Sequence, residues 1–229
     1  MDQYRHELKY LVSQAQIPLL CERIKPFMRL DPHVSEKSLY NIRSLYFDDY
    51  YNTCFYENEN GTDPREKYRI RIYNYSSERI SLECKRKERG KTLKKICDLT
   101  KSQTDCIVQG GEMEIENKPP LLRKMLLQMR TMMLHPVTIV EYERIPYICR
   151  YGNVRVTFDM NVSSSAMCNA FFQSDIPKRP VMPPGWQLME VKFDEYLPDY
   201  IYRALNLEVL QQTPYSKYYL CRKYALKEG

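Results

Sequence analysis

Along most of the chain apolar and polar residues alternate one for one, the period of a strand with one buried side. The alternation predicts eight strands, at 4–11, 41–48, 65–74, 79–88, 92–99, 136–145, 153–160 and 187–194. Helical spacing replaces it elsewhere. Ser13 is placed to cap a helix running to Leu30, with Ile17, Leu20, Ile24 and Phe27 or Met28 on one face. A second predicted helix follows Asp49 and stops before Gly61, and shorter ones fit 101–109, 118–133, 199–210 and 216–226. The proline-rich stretch from Lys178 to Gly185 reads as a loop. Few helices interrupt the strands, so the expectation is an α+β fold with one antiparallel sheet, occupying 1–229 as a single domain.

The polar side of these strands is unusually ionic. Arg5, Glu7 and Lys9 share a face opposite Leu8 and Tyr10. Arg69 and Arg71 oppose Tyr68, Ile70 and Ile72, and Glu83, Lys85 and Lys87 oppose Leu82 and Cys84. Tyr142 pairs with Arg144; Arg155, Thr157 and Asp159 form another stripe; Glu190 and Lys192 oppose Met189, Val191 and Phe193. A lone Arg-x-Arg pair is most often a solvated strand face, and an open sheet with one wet side accounts for each stripe alone. The set together fits a barrel whose interior is charged. Such an interior needs water, counter-carboxylates or an anionic ligand, because unpaired charge is costly to bury. Arginine suits phosphate through its planar fork and lysine as a point charge. Glu7, Glu83 and Glu190 could either balance neighbouring cations or hold a divalent metal through oxygen.

Composition narrows the classes. The 229 residues hold 35 Lys+Arg against 29 Asp+Glu, too mixed a balance for a polycation or a disordered acidic tail. Tyrosine is abundant, 20 against 7 Phe and 1 Trp, which suits strands with a polar interior or a wet face. The eight cysteines form no C-x-x-C pair and the three histidines are scattered, so a zinc ribbon or histidine-rich metal centre is not expected. No G-x-x-x-x-G-K-[ST] or G-x-G-x-x-G run is present. No apolar run approaches the ~20 residues that span a bilayer. The polar start, Met1 to Glu7, has no signal-peptide pattern, so a cytoplasmic protein with free thiols is the expectation.

Several short segments resemble one known family. They are Tyr4-Arg5-His6-Glu7-Leu8-Lys9-Tyr10, Ile42-Arg43-Ser44-Leu45-Tyr46-Phe47-Asp48, Lys67-Tyr68-Arg69-Ile70-Arg71 and Leu82-Glu83-Cys84-Lys85. Later come Glu141-Tyr142-Glu143-Arg144, Val154-Arg155-Val156-Thr157-Phe158-Asp159, Glu190-Val191-Lys192 and Tyr215-Ser216-Lys217-Tyr218. In this order they resemble the VTC domain, the catalytic domain of the vacuolar transporter chaperone polyphosphate polymerase and its bacterial relatives, within the triphosphate tunnel metalloenzymes. The resemblance implies a closed eight-stranded antiparallel barrel with helices outside and a C-terminal helix closing one end. It makes Lys9, Arg69, Arg71, Lys85, Lys94, Arg144, Arg155 and Lys217 the catalytic cations. Tyr142, Lys192 and Ser216 become phosphate or nucleotide contacts, and Glu190, with Glu7 and Glu83 behind it, the metal ligand.

The implied activity is transfer of the γ-phosphoryl group of ATP to a growing polyphosphate, with Mn²⁺ or Mg²⁺ as cofactor and ATP and polyphosphate as partners. Many tunnel enzymes begin with Glu-x-Glu-x-Lys, whereas here Arg5 replaces the first glutamate of Glu7-Leu8-Lys9. That exchange weakens the triphosphatase and cyclase alternatives and favours a long polyanion. A polyanion-binding module without catalysis is the other alternative. Nucleic acid is not an expected partner, because the cations are predicted to lie inside. Export of product would need another chain, one that is held in the membrane.

Overall fold

A computed structural model describes residues 4–34 and 38–227, with side chains through 223; residues 1–3, 35–37 and 228–229 of the expected domain lie outside it. The chain runs β1 (His6–Ser13), α1 (Gln16–Ile24), β2 (Arg29–Leu30), β3 (Tyr40–Asp48), α2 (Thr53–Glu59), β4 (Arg65–Tyr73), β5 (Ile80–Glu88), β6 (Lys91–Leu99), α3 (Lys101–Val108) and α4 (Pro120–Thr131). It continues with β7 (His135–Cys149), β8 (Val154–Ser165), β9 (Arg179–Pro180), β10 (Trp186–Phe193), α5 (Asp199–Ala204) and α6 (Lys217–Lys227). Eight strands form one sheet in the order β1-β10-β8-β7-β3-β4-β5-β6, with β2 on β7 and β9 on β8. The pairings are antiparallel.

The sheet curls into a half-barrel and does not close fully, which corrects the expected closed barrel. Among the described residues its outer strands meet at one isolated bridge, where Arg5 and Thr92 exchange backbone hydrogen bonds of 3.0 and 3.1 Å. Beyond that bridge the free edge of β1 is taken by the segment that leads to α6. Leu11 donates to the carbonyl of Gln211 (3.2 Å), and Thr213 donates to that of Lys9 (2.8 Å). The edge is therefore capped by local chain, and β6 cannot extend a ladder along it.

Helices cover the outer face. Ser13 and Gln16 exchange the reciprocal bonds of a capping box, 3.3 Å to the Ser13 hydroxyl and 2.7 Å to the Gln16 side chain. The helix they start ends at Ile24 and not at Leu30: Lys25 keeps helical geometry and donates to the carbonyl of Cys21, but Pro26 offers no N–H to continue the ladder. Arg29 and Leu30 pair with β7 instead, leaving Phe27 exposed. On α1, Ile17, Leu20, Cys21 and Ile24 pack against Val154, Val156, Phe158, Met189 and Val191 of the sheet. On α4, Leu122, Met125 and Leu126 pack with Ile107 of α3 against Ile70, Ile72 and Leu82. Each such fully buried side chain contributes about 1.5–3 kcal/mol.

β7 and β8 run longer than the alternation predicts. Asn161, at φ +55°, bulges out of the ladder, and pairing resumes past it, with Ser163 opposite Glu141. A polar residue that resembles a turn thus sits inside a strand. α5 stops at Ala204, six residues short of the expected end, and the loop 178–185 contains β9. All eight cysteines are free thiols. Among the described residues no helix is long and apolar enough to cross a membrane.

Candidate functional site

Alternation along each strand decides what faces the concave side. On β4, Tyr68, Ile70 and Ile72 are buried under α3 and α4, which turns Lys67, Arg69 and Arg71 inward. The same rule brings Glu7 and Lys9 from β1, Tyr46 from β3, Lys85 from β5, Tyr142 and Arg144 from β7, and Glu190 and Lys192 from β10 to one cavity. Ser216 and Lys217, at the start of α6, line it as well. Arg71, Arg144, Glu190 and Lys217 are each at most 8% exposed, so the solvated-face alternative does not hold. The enclosed space is about 50 Å³, at roughly 10–15 Å³ each enough for a few waters. A 360 Å³ cavity shares Glu7, Lys9 and Lys85 with it and extends to Lys87, Thr92 and Thr213. Another, of 430 Å³, is lined by Lys94, Arg155, Tyr40, Tyr73 and His33.

Carboxylates thread between the cations. Asp159 takes a two-pronged contact from Arg144 (2.6 and 2.7 Å). Lys217 lies between Asp159 (2.5 Å) and Glu190 (2.6 Å), and Lys192 reaches Glu190 at 3.3 Å. Glu83 accepts from Arg69 (2.5 Å) and Lys94 (3.0 Å), with Arg71 at 3.8 Å. Glu7 accepts from Lys85 at 2.6 Å, and Lys9 approaches it at 3.6 Å while donating to the carbonyl of Tyr215 at 2.7 Å. Arg69 also donates to the Tyr46 hydroxyl (2.8 Å), and Arg71 to those of Ser44 and Tyr142 (3.2 Å each). Eight cations line the cavity against four carboxylates that line or contact it. The site thus carries a positive surplus that the protein does not neutralise.

Burial alone would raise the carboxylate pKa values, but the cations outweigh it. Lys217, Lys192, Lys9 and Arg144 hold Glu190 well below the usual range; Lys85, Lys192 and Lys9 do the same for Glu7; Arg69, Arg71 and Lys94 do so for Glu83. Burial lowers Lys9, with Lys85 and Lys217 adding repulsion and Glu7 and Glu190 opposing it. Lys217 moves the other way: although burial disfavours its charge, Asp159 and Glu190 raise its pKa.

The structure brings Lys9, Arg69, Arg71, Lys85, Tyr142, Arg144, Lys192, Ser216, Lys217, Glu7 and Glu190 to one cavity. Lys94 and Arg155 line the neighbouring 430 Å³ cavity instead. The Arg155 guanidinium is held by the Tyr40 hydroxyl (2.9 Å) and Asp31 (3.0 Å), and its buried Nε has no partner among the described residues. Glu83 stands behind the lining, held by three cations. Residues not singled out from the sequence are Tyr46, Lys67 and Asp159 as the partner of Arg144 and Lys217. Asp159 shares a stripe with Arg155, so its inward direction was legible; its partners come from β7 and α6 and were not.

Among the described residues no three His, Cys, Asp or Glu side chains gather as a metal cage. The donors that line the cavity, Glu7 and Glu190, are hard oxygens. They fit a Mg²⁺ or Mn²⁺ ion that arrives on phosphate, which needs one or two protein carboxylates and no dedicated cage.

No curated protein matches the chain in sequence. A family model described as VTC domain matches residues 4–226. Among solved structures the chain is similar to a candidate adenylate cyclase from Bacillus halodurans, at 13% identity and TM-score 0.53, covering 94% of this chain and 95% of that one. It is also similar to a candidate adenylyl cyclase from Hippeastrum described as having a dominant triphosphatase activity, at 12% identity and TM-score 0.53, covering 98% and 96%. At such identities the likeness shows a shared fold.

Proposed function

The chain belongs to the VTC domain family, and on that footing we propose that it is an ATP-dependent polyphosphate polymerase. The observation that carries this reading is the surplus of cations around the cavity. Such a surplus is costly unless an anion completes it, and a phosphate chain carries one charge or more per phosphoryl group.

In the proposed reaction a terminal oxygen of the acceptor polyphosphate attacks the γ-phosphorus of ATP. The bond from that phosphorus to the β–γ bridging oxygen breaks, and ADP leaves with the electron pair. The acceptor is already an anion at neutral pH, so no general base is required. Catalysis reduces to alignment and charge neutralisation. Arg69, Arg71 and Arg144 present forked donors to the transferring group, with Arg155 at the adjoining cavity. Lys9, Lys85 and Lys217 hold acceptor and leaving phosphates in line, and Lys94 and Lys192 flank them. Tyr142 and Ser216 offer hydroxyls. A divalent ion, when bound, would neutralise phosphate charge, with Glu190 and then Glu7 as its protein ligands. The free cavity is smaller than a triphosphate. Binding would exchange carboxylate partners of the long cationic side chains for phosphate.

The triphosphatase activity of the Hippeastrum relative makes hydrolysis of tripolyphosphate the second reading, with water in place of the acceptor. Incubation of the purified protein with ATP and Mn²⁺, followed by a gel stained for polyphosphate, separates the two. Long polymer is the expected product. Release of phosphate without polymer supports hydrolysis, and formation of neither product would leave a polyanion-binding module.

A further inference from the structure

The cations of the central cavity are not equivalent. Arg69, Arg71, Lys85, Lys9, Arg144, Lys192 and Lys217 each stand within 4 Å of a carboxylate. Lys67 does not. Its ammonium donates to the Ser216 hydroxyl at 3.1 Å and otherwise faces two rings, Tyr218 at 5.6 Å and Tyr46 at 5.9 Å from their centroids. An ammonium has three N–H donors, so two are left facing the cavity. Ser216 is fixed in turn: its oxygen also accepts from the backbone of Tyr219 at 3.4 Å, which leaves its own proton free to donate. The groups around Lys67 are mostly of its own sign. Lys85 lies opposite it in the β4–β5 register, Arg69 follows on β4, and Lys9 faces it from β1. Glu7 of β1 is the nearby carboxylate, and Lys85 and Lys9 already occupy it. Lys217 of α6 turns toward Asp159 and Glu190, and Cys54 of α2, a neutral thiol whose pKa burial raises, completes the surroundings.

We propose that Lys67 is a further phosphate-binding residue whose counter-ion is the ligand itself, acting with the Ser216 hydroxyl as a clamp on one phosphoryl group. The inference rests on the reading of this cavity as a phosphate site and deepens it. Burial and then the repulsion of Lys85, Lys9 and Arg69 push the Lys67 ammonium well below the usual lysine range. A phosphate beside it supplies the missing negative charge. Binding should therefore raise the pKa of this amine and favour proton uptake from buffer, a response that an arginine at the same position, charged throughout, cannot give.

The test is calorimetric titration of the whole protein with tripolyphosphate at pH 8, in buffers of different ionisation enthalpy. The slope of apparent enthalpy against buffer enthalpy counts protons taken up per ligand bound. Wild type is expected to take up more protons than Lys67→Arg, whose guanidinium stays charged throughout and keeps most of the affinity. Lys67→Met is expected to bind about tenfold more weakly or worse, while its ligand-free form melts no lower than wild type, because a buried amine with no carboxylate partner has been removed. Equal proton uptake in wild type and Lys67→Arg, or undiminished affinity in Lys67→Met, would overturn this inference while leaving the phosphate site in place. Absence of any tripolyphosphate binding by wild type would overturn both.

Discussion

Two buried clusters of arginine and carboxylate sit on opposite faces of β3 and β7, and they are built on different plans. On the outer face Arg43, 0% exposed, uses all of its donors. It bonds Glu141 at 2.7 and 2.6 Å, the carbonyls of Phe171 (3.0 Å) and Ser174 (3.2 Å), and the carbonyl of Gln173. Glu141 is equally saturated by Lys178 (2.6 Å), the Tyr75 hydroxyl (2.8 Å) and Asn41 (3.3 Å). On the inner face cations outnumber carboxylates, Lys67 has a hydroxyl where a carboxylate would stand, and the buried hydroxyl of Thr157 lacks a partner. A saturated cluster fastens a loop to a sheet. An unsaturated one leaves donors that an anionic ligand would complete. Residue type does not separate the two, since both are arginine, lysine and glutamate; satisfaction of donors does.

The largest expected effect sharpens this contrast from the outer side. Arg43→Ala leaves Glu141 buried with its main partner gone, and should cost about 3–5 kcal/mol of stability in denaturant unfolding. Protein that remains folded should bind tripolyphosphate as wild type does. Inside, Arg69→Ala is expected to behave the other way round. Glu83 keeps Lys94 at 3.0 Å and Arg71 at 3.8 Å, so the loss of stability should be smaller than for Arg43→Ala. Triphosphate affinity, read by calorimetry, should fall by about 1.5–3 kcal/mol for the lost charged hydrogen bonds. If the two variants rank the same way in both measurements, the contrast between the faces is broken.

Glu190→Gln should separate metal binding from anion binding. It removes a negative charge beside Lys217, Lys192 and Arg144 while keeping the shape. Turnover of ATP at limiting Mn²⁺ should collapse, whereas metal-free binding of tripolyphosphate should tighten modestly. Unchanged turnover would move the metal to another carboxylate, with Glu7 the next candidate.

The smallest effect is on pH dependence. Glu7, Glu83, Asp159 and Glu190 are held below the carboxylate values of about 3.9–4.3 expected in an unfolded chain. Their contribution to stability is therefore complete above that range and lost as pH falls through their lower folded values. Melting temperature should stay level between pH 7 and about 5 and fall below about 4. Added sulfate should protect most at the acid end, where the inner surplus grows. A fall that starts near pH 6 would assign acid stability to other groups.

Much of the site was legible before any coordinates, for a simple reason. In a strand, residues two apart share a face, so Arg69 with Arg71, or Glu190 with Lys192, could be placed together from spacing alone. What spacing cannot convey is which strands are neighbours. The bond of Lys67 to Ser216 joins β4 to the start of α6, 149 positions away, and the Asp159–Lys217 pair joins β8 to that same helix start. Closure of the sheet was misread for a related reason. The edge of β1 pairs with 211–213, a segment with no strand pattern of its own. Arg43 was the inverse difficulty: it alternates with the apolar residues of the outer face, and its saturation depends on carbonyls at 171, 173 and 174 that no motif marks.

The claim that the inner surplus of charge recognises a phosphate chain is tested most directly by thermal melts with and without tripolyphosphate at fixed ionic strength. Wild type should melt higher with the ligand, through preferential binding to the folded state, and matched sulfate should shift it much less. In Arg69→Ala and Arg71→Ala most of that shift should disappear. A shift equal in wild type and both variants, or reproduced in full by sulfate, would contradict the account.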